Sequence, residues 1–295
     1  METGSVARMT PPSRLHDLGP GIVAATSFAI GDVFSKVALK AGCDVLTLST
    51  FRSLFSVAVV FAWMQFFPPP VALTPRQRNI SLGIGVLFSG IVFGLFKAIE
   101  LLEVPVAILT YFIYPLLTGI AAALLGLDRL SWRGAATALA AFGGLALMIG
   151  AHPGGIALAG VAVAIGAACC RTAVLLITRS ALQGADALLI TWYSLLSSTV
   201  VLAGASLLTW NWNAPQTAYG WVALIIVSAT VTVAVLTLFV SIHRVGPFRS
   251  ALIMNLEPLL ATVLSAPLLG EVITPLQAAG GGIMLAALVA FQVRR

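Results

Sequence analysis

Residues 187–243 read ALLITWYSLLSSTVVLAGASLLTWNWNAPQTAYGWVALIIVSATVTVAVLTLFVSIH, without a single Asp, Glu, Lys or Arg. A helix crosses the hydrocarbon core of a bilayer with about 20 mostly apolar residues, so this run is too long for one crossing. It divides at the polar turn Asn211-Trp212-Asn213-Ala214-Pro215-Gln216. Each piece is expected to be helical, because lipid offers a backbone no hydrogen bonds. A second uncharged run, 134–170, divides at His152-Pro153-Gly154-Gly155. The same reading carried outward predicts an all-α polytopic membrane protein with ten transmembrane helices, over 18–39, 44–66, 79–100, 104–126, 132–150, 156–179, 186–209, 218–242, 246–269 and 274–292.

Composition agrees with that reading. The 295 residues are 59% hydrophobic and 9% charged, against about 25% charge in soluble domains. The excess of 16 Lys+Arg over 10 Asp+Glu forms no basic block with interleaved aromatics, so nucleic acid is not an expected partner. Instead the basic residues order the topology. With the N-terminus inside, Arg8, Arg14, Arg76, Arg78, Arg129, Arg133, Arg179, Arg244, Arg249, Arg294 and Arg295 collect on the cytoplasmic side, and Lys40 falls outside. Cys43, Cys169 and Cys170 form neither a CxxC pair nor an even set, so no zinc site or disulfide framework is expected. The start of the chain lacks the compact apolar core of a cleaved leader and is interrupted by Pro11-Pro12, so 1–17 is read as a cytoplasmic tail.

The chain repeats itself. A displacement of 143 residues carries Pro115-Leu116-Leu117 onto Pro258-Leu259-Leu260, Leu95-Phe96 onto Leu238-Phe239, Ile99 onto Ile242, Lys36 onto Arg179, Asp128 onto Glu271 and Ser131 onto Thr274. A displacement of 141 carries Thr50, Ser53 and Leu54 onto Thr191, Ser194 and Leu195. The halves, 18–150 and 151–295, would each hold five spans. Five is odd, so the copies must lie inverted, an architecture of secondary transporters that places the substrate between the halves.

The strings Asn255-Leu256-Glu257-Pro258-Leu259-Leu260-Ala261, Leu269-Gly270-Glu271 and Thr274-Pro275-Leu276-Gln277, with Phe96-Lys97-Ala98-Ile99 followed by Pro105 and Ala107, resemble the signature of EamA-type transporters of the drug/metabolite transporter superfamily. The resemblance covers about 18–292. Within the superfamily the ninth-span string is most similar to bacterial amino-acid exporters of the aromatic or threonine/homoserine type. What this implies is a ten-helix exporter of the bacterial inner membrane with both termini in the cytoplasm.

Ionisable groups inside the spans are the candidate site, because burying them is costly without a partner or a cavity. Asp32 and Lys36, four apart on one helix, can pair as a gate, or simply neutralise each other near the outer interface. Lys97 and Glu100, three apart, can do the same. Arg171 has no acid near it in sequence; its guanidinium suits a substrate carboxylate, or snorkels to the inner headgroups. Arg52, in the second span, is read as pairing with a neighbouring helix. Glu257 directly precedes Pro258, and its counterpart Tyr114 precedes Pro115. Proline cannot donate its amide, so the carbonyls of Tyr111 and Met254 are expected to lose their usual partners. Glu257 can bind an ammonium group, take up a proton, or serve as a packing acid. Asn255, Tyr111, Tyr114 and Trp192 complete the candidate pocket, the aromatics being equally suited to packing. Trp132, Trp210, Trp212 and Trp221 are assigned to the interface and His243 to a loop. Gly90-x-x-x-Gly94 and Gly280-Gly281-Gly282 are read as close helix contacts.

These residues predict a secondary transporter that exports amino acids or related metabolites by alternating access, its coupling ion a proton if it has one. Drugs, purines and other metabolites are the alternative cargo. No GxxxxGK[ST], HExxH or GxSxG is present, so neither ATP hydrolysis nor the enzyme reading finds its motif. No cofactor or metal is expected, and a monomer suffices because one chain holds both halves.

Overall fold

A computed structural model describes residues 14–69, 71–102, 104–127, 131–149, 157–210, 212–269 and 273–293. Most of the 1–17 tail, Arg8, Arg129, Arg294, Arg295, the Asp128/Glu271 match, Gly270 and the His152–Gly155 break lie outside the described residues. Among those described there are twelve helices and no strand: α1 (Arg14–Lys40), α2 (Val45–Phe66), α3 (Pro75–Leu101), α4 (Val104–Tyr111), α5 (Tyr114–Leu124), α6 (Trp132–Ile149), α7 (Leu158–Ala181), α8 (Ala187–Thr209), α9 (Ala218–Val245), α10 (Pro247–Ile253), α11 (Leu256–Leu269) and α12 (Pro275–Val293). Among the described residues, seven segments are long and apolar enough to cross a membrane, at Asp17–Lys40, Val45–Phe66, Pro75–Leu95, Leu158–Ala181, Ala187–Thr209, Ala218–Val245 and Pro247–Leu268.

Local signals explain most boundaries. Thr74-Pro75-x-Gln77 opens α3 with a capping box, the Gln77 amide donating to Thr74 Oγ1 at 3.2 Å and the Thr74 amide to Gln77 Oε1 at 3.0 Å. Thr274-Pro275-x-Gln277 repeats the device at α12. Proline suits the first turn because its missing amide hydrogen would have no partner there. The box starts α3 four residues before hydropathy alone places the third span at 79. Likewise α1 begins at Arg14, inside the segment expected as tail. The expected fourth and ninth spans are each broken, into α4 and α5 and into α10 and α11.

The helices pack as a twofold arrangement. Helix α1 lies along α9 and α3 along α7; α2 meets α8; α2 also meets α9 and α3 meets α8; α6 meets α12. Exchanging the first five spans for the last five leaves this pattern unchanged. Polar contacts follow it as well. Thr232 Oγ1 donates to Ser56 Oγ at 2.6 Å across α2 and α9, and Ser89 and Ser198 share a hydroxyl bond of 3.1 Å across α3 and α8.

Direction can be read from which ends meet. The start of α2 (Asp44, Thr47) touches Asn213 beyond the end of α8, while Phe61 near the end of α2 stacks on Trp192 near the start of α8, centroids 5.6 Å apart. Helices α2 and α8 occupy corresponding places in the two halves and run antiparallel. Small residues make these seams tight. A Cβ on Gly85 would collide with the Ser194 carbonyl, one on Gly94 would meet Ala167 at 3.0 Å, and one on Gly144 would meet the Gly280 carbonyl at 2.6 Å.

One end of the bundle is clasped. The Asn213 amide donates to Asp44 Oδ2 at 2.6 Å, the Asp44 amide to the Asn213 carbonyl at 3.1 Å, and the Gln216 amide to the Ala41 carbonyl at 2.8 Å. The α1–α2 turn is thereby tied to the α8–α9 connection. Asp186, which caps α8 as Asp44 caps α2, is bonded among the described residues only within its own first turn, to Leu188 and Leu189 amides at 2.8 and 3.3 Å.

Candidate functional site

Both broken helices carry their chemistry at the break. Helix α4 stops at Tyr111 and α5 restarts at Tyr114; α10 stops at Ile253 and α11 restarts at Leu256, one residue before Glu257. The expectation of an unpartnered Met254 carbonyl is corrected: it accepts the Glu257 amide at 3.0 Å, because the chain tightens by one residue where proline withholds its donor. Across the other break, Thr118 Oγ1 donates to the Tyr114 carbonyl at 2.7 Å and Thr172 Oγ1 to the same oxygen at 3.3 Å, tying α5 to α7 beside Arg171.

Arg171 is not at a membrane face. It is 5% exposed and its guanidinium lies over two rings, 5.4 Å from the Phe28 centroid and 5.7 Å from that of Tyr114. Such cation–π stacking substitutes in part for water. Tyr111, Phe112 and Tyr114 form a cluster with centroids 5.4 to 5.6 Å apart, all nearly or fully buried. Among the described residues, Arg171 Nε and Tyr114 Oη are buried without a hydrogen-bond partner. The phenol faces the guanidinium but lies outside hydrogen-bond geometry with it. Two polar atoms without partners side by side each cost about 1–3 kcal/mol unless something satisfies them.

Two acids stand in the same electrostatic neighbourhood: Asp32 feels Arg52, Lys36 and Glu257, and Glu257 feels Asp32 and Arg171. Asp32 is positioned by Gly31, whose lack of a side chain lets α1 approach Thr230 and Val231 of α9. Asp32 and Lys36 keep exposed surface in mid-helix although side chains of α2 and α11 surround Asp32. Asn255, 3% exposed, sits in the α10–α11 break.

The structure thus brings Asp32, Lys36, Glu257, Arg171, Tyr111, Tyr114 and Asn255 to one layer. It places two other candidates elsewhere. Trp192 packs in the α2–α8 seam against the exposed Phe61. Lys97 lies seven residues beyond Gly90, whose position abuts Cys170, and so about 10 Å along α3 from the Arg171 level. The side chain of Glu100 lies outside the described residues. Sequence reasoning gave Arg52 only an unnamed neighbour, which proves to be Asp32, and it missed Phe28. The displacement of 143 carries Phe28 onto Arg171 and Tyr114 onto Glu257, a signal that would have paired both.

A family model described as the EamA-like transporter family matches residues 20–150 and 158–291. In a search of solved structures, 29 chains match. One, described only as a crystal structure of a protein, superposes with a TM-score of 0.79 over 96% of this chain and 100% of its own, at 19% identity. At that identity the likeness speaks for the fold alone. A comparison with curated protein sequences finds no match.

Proposed function

The chain belongs to the EamA-like transporter family, and we propose that it is a secondary transporter exporting amino acids, aromatic or threonine/homoserine-like, by alternating access. A multi-pass membrane protein that moves small molecules is what family and apolar helices establish; the cargo and the residues are the proposal. One observation carries it. A buried guanidinium, Arg171, with a nitrogen lacking a partner lies on Phe28 of the other half and within electrostatic reach of Glu257, whose carboxyl also feels Asp32. A zwitterion presents the complementary charges: its carboxylate to Arg171 and Tyr114 Oη, its ammonium to Glu257 and Asp32. Tyr111 and Phe112 would meet the side chain, and the Asn255 amide would bridge.

In this reading ten spans form two inverted five-helix units, 18–150 and 151–295, behind a tail at 1–17. The monomer sits in the bacterial inner membrane with both termini in the cytoplasm. The antiparallel meeting of α2 with α8 supports the inversion. Rocking of one unit against the other exposes the site to either side.

The test is uptake by proteoliposomes of labelled phenylalanine, tryptophan, threonine, methionine and a nucleoside. Saturable amino-acid uptake, competed by other amino acids and reduced by Arg171→Ala, is expected. Flux of the nucleoside alone would sink the cargo assignment and leave purine or drug export.

A further inference from the structure

Among the described residues, α1 and α7 do not pack along one another: α1 lies on α9 and α11, and α7 on α3, α4 and α5. Two long side chains nevertheless meet between them. Phe28 comes from the first half and Arg171 from the second, with 5.4 Å from ring centroid to guanidinium carbon. Both backbones are fixed. Helix α1 is pressed on α9 at Gly21 and Gly31, which flank Phe28 in sequence; a Cβ on Gly21 would lie 2.9 Å from Ser241 Oγ and one on Gly31 3.2 Å from Thr230 Oγ1. On the other side Thr172, the residue after Arg171, donates to the Tyr114 carbonyl at 3.3 Å and ties α7 to α5. The contact is therefore made by the two side chains themselves and is no by-product of a helix seam.

Arginine carries its five N–H groups in the plane of the guanidinium. A ring stacked over the guanidinium carbon uses a face and none of those donors. Phe28 has no polar side-chain atom, so it steadies the group without competing for it, and Arg171 Nε stays buried without a partner. An acid in the place of Phe28 would consume the donors that a substrate carboxylate needs. An aliphatic side chain would leave the arginine to spread over several rotamers, and freezing them on binding costs affinity.

We propose that Phe28 is a positioning residue of the substrate site: its ring preorganises the Arg171 guanidinium and leaves the Nε edge to take the substrate carboxylate in a two-point contact. This rests on the amino-acid reading above and adds to it a residue that acts through Arg171. The carboxylate anchor is thus assembled from both halves, the charge from one and its platform from the other.

The experiment uses the full chain in proteoliposomes, with labelled phenylalanine as probe and 3-phenylpropionate and 2-phenylethylamine as competitors. The first competitor keeps only the carboxylate and the second only the ammonium. Phe28→Leu keeps apolar bulk and removes the ring face, so the phenylalanine KM should rise about tenfold. The maximal rate should stay within about twofold of the parent, because what is lost is binding. Phe28→Tyr keeps the face and should hold KM within about threefold of the parent. Inhibition by phenylpropionate should weaken in the Leu variant as KM does, and inhibition by phenylethylamine should not change. If the Leu variant loses its thermal unfolding transition, Phe28→Met, whose flexible chain fills irregular gaps, takes its place. An unchanged KM in the aliphatic variant, or equal shifts in it and in Phe28→Tyr, overturns the proposal and leaves the transport reading standing. Equal weakening of both competitors also overturns it, because the ring would then shape the pocket and not serve the carboxylate anchor. Absence of flux for every amino acid in the parent overturns the amino-acid reading and the proposal with it.

Discussion

Arg171 stacks on Phe28, 5.4 Å from guanidinium carbon to ring centroid, and each is the other's counterpart under the internal displacement of 143. In an object with twofold symmetry, only positions beside the axis can touch their own equivalents. The pair therefore marks the axis, and the candidate site lies on it. Tyr114 and Glu257 are likewise equivalents and both border Arg171. The frame is symmetric but its centre is not: one copy contributes rings where the other contributes charge. Under the proposed amino-acid reading, such a centre would orient its substrate, ammonium toward the acids and carboxylate toward the guanidinium.

Arg171→Lys tests that orientation. Lysine keeps the charge and loses the planar fork. The apparent KM for phenylalanine should rise about tenfold, equivalent to ~1.4 kcal/mol, while the purified variant keeps its thermal unfolding profile within a few degrees. An unchanged KM would remove Arg171 from the binding residues.

Tyr114→Phe should move stability and transport in opposite directions. The phenol oxygen is buried without a partner, so deleting it removes a desolvation cost of about 1–3 kcal/mol. Thermal unfolding in detergent should rise, and substrate affinity should fall because the ligand loses a donor. Lower stability in the variant would mean that the hydroxyl is satisfied in the resting protein.

Two glycines on α3 separate seam from surface. A Cβ on Gly85 would strike the Ser194 carbonyl, whereas a Cβ on Gly83 meets nothing within 4 Å. Gly85→Ala should destabilise by about 1–3 kcal/mol through overpacking. Gly83→Ala should stabilise by up to about 1 kcal/mol through helix propensity. Equal effects in a thermal-shift series would contradict the α3–α8 seam.

Asp44 gives the clasp a pH dependence. Burial pushes its carboxyl up, but bonds from the Thr47 hydroxyl and amide and from the Asn213 amide outweigh this and leave it below its ordinary 3.8. A carboxyl held down in the folded state contributes stability that is present above its unfolded pKa and is lost as pH falls through the folded value. Unfolding temperature should therefore drop as pH is lowered through and below about 4, and Asp44→Asn should flatten that part of the curve. A parent and variant with parallel pH profiles would show that the clasp does not titrate.

Much of this was written in one dimension. The uncharged run 187–243 became α8, a turn and α9, because hydropathy and helix period are local properties. Pro115 and Pro258 announced the breaks for the same reason: a missing amide hydrogen acts on its own turn. Sequence placed Asp32 with Lys36 and left Glu257 without a partner, because neighbours on one helix are set by spacing and neighbours across a bundle by packing. The nearness of Asp32 to Glu257 needs α1 packed on both α9 and α11, which spacing does not encode. Trp192 shows the same ground: depth along its span was readable, but the face it turns, toward Phe61, was not.

The one-sided clasp has a consequence of its own. A body made of two copies related by a half-turn has two interchangeable ends, yet here one end is buttoned through Asp44 and Asn213 while Asp186 at the other is bonded, among the described residues, only to its own helix. The fastening needs the amide hydrogen of Asn213, and the displacement of 143 carries Asn213 back onto Pro70, in a Pro68-Pro69-Pro70 run that has no amide hydrogen to offer. Under the rocking reading proposed above, this inequality biases which side the molecule faces, and editing Asp44 or that proline run would retune the bias while leaving every candidate site residue as it is.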